Sequence, residues 1–157
     1  MRLLYLFFAL FLSMNLYGQE TVRIGDVENK IVLGPLANNR DLAFGVKNIL
    51  EETIQDKGFD LDEASTRSIK VEILYFDVLK NNVQLGGFSK NMSITVVIAK
   101  AYLIENGKVI KTTEAKGQSK DISTATLIID QGGQFSQTGV SIALKKVCEQ
   151  LIDNLFL

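Results

Sequence analysis

Asn106-Gly107 stands between two long runs of alternating apolar and polar residues, and it restricts the fold more than any other dipeptide in the chain. Both residues tolerate positive φ, which the type I′ turn of a two-residue β-hairpin requires at its two central positions. The run before the turn spans about Asn91 to Glu105 and the run after it Lys108 to about Asp121. Two long antiparallel strands are therefore predicted to meet there.

Other segments supply the rest of a sheet and two helices. Ile69, Val71, Ile73 and Tyr75 alternate with Lys70 and Glu72, a period of two in a stretch rich in β-branched and aromatic residues, which predicts a strand of about ten residues. Lys30 to Leu33 ends at Gly34-Pro35 and reads as a short first strand. Between these two strands Leu42, Val46, Ile49, Leu50, Thr53 and Ile54 recur at steps of three and four, and Gly58 closes the pattern. That is an amphipathic helix, with Asn38 and Asn39 as candidate caps and Asp41 favouring the positive end of its dipole. A second apolar stripe, Val140, Leu144, Val147, Cys148, Leu151, Ile152 and Leu155, predicts a closing helix. The expected order is β-α-β-β-β-α. The expected fold is an α+β two-layer sandwich, a mostly antiparallel four-stranded sheet with both helices on one face and a right-handed parallel crossover through the first helix.

The first eighteen residues belong to a different kind of segment. Arg2 is followed by an unbroken apolar run from Leu3 to Leu12 and by the small residue Gly18, the layout of a secretory signal peptide. The run is shorter than the roughly 20 residues that span a bilayer. Cleavage after Gly18 leaves a single domain over 19–157, expected in the periplasm or outside the cell. No cysteine lies near the cleavage point, so a lipobox is absent from this stretch.

Composition then narrows the chemistry. The chain has no His, one Cys, seventeen Lys+Arg and eighteen Asp+Glu. Without histidine there is no Ser/His/Asp triad, no Cys/His pair and no imidazole ligand for zinc or haem. One cysteine excludes an intrachain disulfide. The two signs of charge are interleaved, which speaks against nucleic acid as a partner. No enzyme activity, cofactor or metal is expected. Asp60 with Asp62 and Glu51 with Glu52 read as solvated surface, and Cys148 as a small buried hydrophobe. Asn91-Met92-Ser93 matches a glycosylation acceptor, relevant only in a eukaryotic secretory pathway.

Three features point to a binding role. Leu74, Phe76 and Val78 alternate with Ile73 and Tyr75, and Val97, Ala99, Ala101 and Leu103 with Ile94, Val96, Ile98 and Tyr102, so both sheet faces read as apolar. Either residues 20–29 or the loop before the last helix fold over the second face, or that face meets a partner or a second copy. The stretch Asn81 to Phe88 reads as a loop presenting Leu85 and Phe88 around Gly86-Gly87. It lacks the pattern of a phosphate-binding loop. The stretch Ser123 to Gly139 has no clear period and holds Leu127, Ile128 and Phe135. Loops of that length inside a compact domain tend to be functional or mobile, although 127–129 could be a short strand or cover for the sheet. Leu85, Phe88, Leu127, Ile128 and Phe135 are the candidate partner-binding residues. An alternative is a carrier of a small apolar ligand, in a pocket lined by Tyr75, Phe76, Tyr102 and Phe135.

The helix ending Gly58-Phe59, the following strand Lys70-Val71-Glu72-Ile73-Leu74 and the closing helix Val140 to Leu155 together resemble small bacterial envelope domains of the YajG-like and LpoB-like lipoprotein kind. The resemblance covers residues 30–155. It implies a non-enzymatic periplasmic domain that docks onto an envelope protein, in some members as an activator of a peptidoglycan synthase. The chain departs from that pattern in having no lipid-accepting cysteine after its signal. Its signal segment, with Gln19-Glu20 after a small residue, is similar to those of Bacteroidetes exports.

Overall fold

The computed structural model describes residues 20–33, 42–85, 88–124 and 137–156. Five strands and two helices follow one another as β1 (Thr21–Leu33), α1 (Ala43–Asp56), β2 (Asp60–Leu61), β3 (Arg67–Leu85), β4 (Phe88–Glu105), β5 (Lys108–Thr124) and α2 (Gln137–Phe156). The sheet order is β2-β1-β3-β4-β5, with β1 parallel to β2 and β3 and the remaining pairs antiparallel. The architecture is α+β as expected, but the sheet is a mixed, curled half-barrel of five strands, where four were anticipated.

The Asn106-Gly107 turn has the expected geometry, with φ of 50° and 76°, and it joins the pair Glu105 and Lys108. The first strand is longer than the expected Lys30 to Leu33 and starts nine residues earlier. Strand β1 begins at Thr21, so residues 21–29 are part of the sheet and do not cover its second face. Its alternation is hidden because the register with β3 slips between Ile24 and Val27 and again between Asn29 and Val32. A slip of one residue transfers the inward side chains to the other parity, and no single period of two survives.

The same effect explains the two apolar faces. Ile73 pairs with Ala99 and Tyr75 with Ile98, which leaves Leu74 as an extra residue in β3. Before this bulge Ile69, Val71 and Ile73 point into the core, and after it Phe76 and Val78 do. The apparent second apolar face of β3 is thus largely one core face read across a change of parity. Both helices cover that face. Helix α1 buries Val46, Leu50 and Ile54, and α2 buries the whole anticipated stripe from Val140 to Leu155, Cys148 included.

Helix α1 ends in a Schellman motif. The Gly58 and Phe59 amides donate to the Gln55 and Ile54 carbonyls, and Gly58 takes the φ of 85° that glycine tolerates best. The Phe59 ring then packs on Phe156 with centroids 4.3 Å apart, and Lys57 pairs with Asp153. The start of α1 is capped by Leu42 without a side-chain bond, while the anticipated caps Asn38 and Asn39 lie outside the described residues. At β5 the helix layer comes closest to the sheet. A Cβ on Gly117 would stand 2.6 Å from Val147 Cγ2 and overlap the Ala143 carbonyl oxygen, so only glycine fits beneath α2.

Candidate functional site

The face of the sheet opposite the helices divides into a charged half and an apolar half. Cross-strand neighbours share a face, so the registers lay out its rows. One row runs Glu28, Glu72, Lys100, Glu114, and the next Lys70, Tyr102, Thr112. On the other side of the Leu74 bulge the rows become Val32, Tyr75, Ile98, Lys116, then Asp77, Val96, Gln118, then Leu79, Ile94, Lys120.

In the charged half, Glu28 and Glu72 are register partners on parallel strands, and two lysines relieve their repulsion. Lys30 Nζ lies 2.6 Å from Glu72 Oε1 and 3.0 Å from Glu28 Oε2, and Lys70 Nζ lies 2.5 Å from Glu28 Oε1. The Tyr102 hydroxyl donates to Glu72 Oε2 at 2.8 Å. Lys70 first and Lys30 second hold the Glu28 carboxyl below the ordinary carboxylate range, and for Glu72 the order is Lys30, then Tyr102. The carboxylates in turn raise both lysines, Lys30 mainly through Glu72 and Lys70 through Glu28. Lys100 sits 5.2 Å from the centroid of the Tyr102 ring and covers it. Every member of this group already has a partner, so it orders the face and offers no poised acid or base.

The apolar half carries surface without such partners. Val32 is 70% exposed and Leu79 42% exposed, their row neighbours Tyr75, Ile98 and Ile94 are half-buried, and Asp77 and Val96 in the row between are buried. The Tyr75 hydroxyl donates to Asp77 Oδ2 at 3.2 Å and the Val78 amide to Asp77 Oδ1 at 2.8 Å. Burial foremost, and then the Asp77 charge, raises the Tyr75 pKa. The phenol therefore stays neutral and anchors the patch.

The anticipated site residues fare unevenly. Asn81 to Leu85 and Phe88 lie in strands and not in a loop, because β3 and β4 stay paired as far as Leu85 opposite Phe88. Leu127, Ile128 and Phe135 lie outside the described residues. The proposed ligand pocket does not assemble. Phe76 faces the core and is fully buried, whereas Tyr75 and Tyr102 stand on the open face and Phe135 is outside the described residues. A different cavity, of about 310 Å³, opens between the ends of the two helices and is lined by Lys57, Phe59, Ile152, Asp153 and Phe156. The charged group was missed at the sequence level, although the reversed orders Glu28-Asn29-Lys30 and Lys70-Val71-Glu72 on parallel neighbours are the signal that reveals it.

Among the described residues no group of three or more His, Cys, Asp or Glu could hold a metal ion, and no helix is long and apolar enough to cross a membrane. Cys148 is buried in α2, where desolvation foremost and Glu149 second push its thiol up to about 12.

Fold and face together define a class, the small two-layer domains in which paired helices bury one side of a curled mixed sheet and, among the described residues, no helix covers the other. Residues 18–128, well over half of the chain, match the family model Lipoprotein_16, described as an uncharacterized lipoprotein, and the chain belongs to that family. Lipoproteins are envelope-associated proteins. Among solved structures the chain is similar to a minor lipoprotein from Acinetobacter baumannii, at 9% identity over 87% of this chain and 91% of that one, with a TM-score of 0.50. It is also similar to protein XCC0632 of Xanthomonas campestris, of family DUF330, at 10% identity over 87% and 80%, with a TM-score of 0.52. These likenesses are of fold alone. Among curated proteins nothing matches.

Proposed function

We propose that this chain is an exported, non-enzymatic domain that binds an envelope protein through the apolar half of its open sheet face. The observation that carries the reading is the exposed Val32 and Leu79 with the half-buried Tyr75, Ile98 and Ile94, in two rows that flank the buried Asp77 and Val96 on a face that the helices do not cover. The adjoining ion-pair group gives that surface a fixed shape, and a preformed surface loses little freedom on binding. Membership of a lipoprotein family supports an envelope setting. The finer parts of the reading are a signal removed after Gly18, a periplasmic or secreted location, and a docking role of the YajG-like or LpoB-like kind.

A photo-crosslinking residue at position 79, compared with one at the exposed Asn154 on α2, tests it in intact cells. One discrete protein adduct from position 79, absent from position 154 and abolished by Ile98→Lys, is expected. Adducts from both positions, or from neither, count against the reading. The cavity beside Phe59 and Phe156 favours a second reading, a small apolar ligand, because its volume falls at the lower end of ligand pockets. Native mass spectrometry for a co-purifying lipid separates the two.

A further inference from the structure

The two edges of the sheet are unequal. On one side β2 covers only Thr21 and Val22, and the rest of that edge is β1, broken by register shifts at Ile24/Val27 and Asn29/Val32, whereas β5 presents seventeen residues with no shift from Lys111 to Thr124. A bulged edge offers a poor template to an incoming strand, and a long regular one offers a row of backbone donors and acceptors. Lys146 Nζ reaches from α2 to donate to the Gln118 carbonyl at 3.1 Å, so that oxygen accepts from a group outside the β4 ladder. Backbone groups of successive strand residues point to opposite sides, which places those of Thr112, Glu114 and Lys116 on the same outer edge as Gln118.

We propose that this edge accepts an acidic extended segment of a partner protein as a further strand. The charge of β5 selects the occupant. The strand carries Lys108, Lys111, Lys116 and Lys120 against Glu114 and Asp121, and such lysines repel a basic strand, gain no charge pairing from a neutral one and favour a carboxylate-bearing one. A second copy of this chain fits less well. Helix α2 lies directly over β5 at Gly117, so a two-fold axis perpendicular to the sheet, which pairs two β5 edges antiparallel, would bring the partner's own α2 beside it on the same face, whereas an isolated extended segment carries no helix. Lys146 is exposed and swings aside at little cost. This inference goes beyond the open-face reading and concerns a different surface, so either fails without the other.

The probe is a blocked alternating threonine–glutamate peptide of about ten residues, with its threonine–lysine counterpart as control, added to the full folded domain. Amide exchange followed by NMR is expected to slow about tenfold at Thr112, Glu114 and Lys116 with the acidic peptide only. Glu114→Pro removes a donor that faces outward, which an edge strand tolerates, and it abolishes the effect while the far-UV spectrum stays native. Lys116→Glu combined with Lys120→Glu transfers the protection to the basic peptide and does not depend on tolerance of proline. Unchanged exchange, equal protection by both peptides, or protection already present through self-association in light scattering overturns the proposal.

Discussion

Gly117 carries no side chain, yet its position controls how α2 sits on the sheet. With the Ala143 carbonyl in the space of a Cβ, Gly117→Ala forces helix and strand apart, and overpacking of this kind costs about 1–3 kcal/mol, measurable by urea unfolding. Glu72 controls the other face through charge. Its native pKa lies below the ordinary value of 4.5, so the folded state binds fewer protons than the unfolded one. The resulting stabilisation is complete above that value and is lost as pH falls through the native pKa. Denaturation midpoints followed from pH 6 to pH 3 should therefore drop less steeply in Glu72→Gln than in the parent chain. An identical slope would mean that Lys30 and Tyr102 do little for the carboxylate. Cys148 is expected to resist alkylation in the native state, since a thiol raised to about 12 and buried has almost no thiolate. Rapid native labelling, read by mass, would contradict the packing of α2.

Strand β3 turns on one inserted residue. Because Leu74 resets the parity, Phe76 belongs to the core and Leu79 to the surface. Phe76→Ala should cost about 3–5 kcal/mol and Leu79→Ser within about 0.5 kcal/mol, both read from chemical denaturation. Comparable costs would place the bulge elsewhere. This strand also marks the limit of what the residues reveal unaided. Val46 to Ile54 and Val140 to Leu155 each follow one period without interruption, and both helices were legible, as was the turn whose two residues accept positive φ. Strand β1 was not, since Gly25-Asp26 resembles a turn and two register slips scatter Val22, Ile24 and Val27 over both parities. Strand β2 is two residues long, too short for any period. The open face was sensed as an excess of apolar residues, but its charged half depends on pairing between distant segments, which no local pattern encodes.

Strands β3, β4 and β5 do not end where the two-layer core ends. The last pairing of β1 with β3 is Leu33 with Phe76, and α2 meets β5 at Gly117, which lies level with Val97. Beyond that level the three strands continue, and Val78 and Thr95 are still buried against the helix side while Leu79 and Lys80 are exposed. Ala99, Ala101 and Leu103 sit in the core cluster on a strand that α2 packs against, so their amides open only when the whole domain unfolds. Ser93 and Ile94, flanked by β3 and β5 but beyond the reach of β1, have less to hold them. Native-state hydrogen exchange should therefore find two classes. Ala99 to Leu103 should exchange with the free energy of global unfolding, and Ser93 and Ile94 should exchange faster through an opening confined to the outer part of the three strands. A protein on the row of Leu79 and Ile94 would slow the second class selectively, because binding there costs less ordering than remodelling the core, whereas a strand added at Thr112 to Lys116 lies level with the first class. A single exchange class across β4 would instead make the extension as rigid as the core, and its use as a docking arm would lose this physical basis.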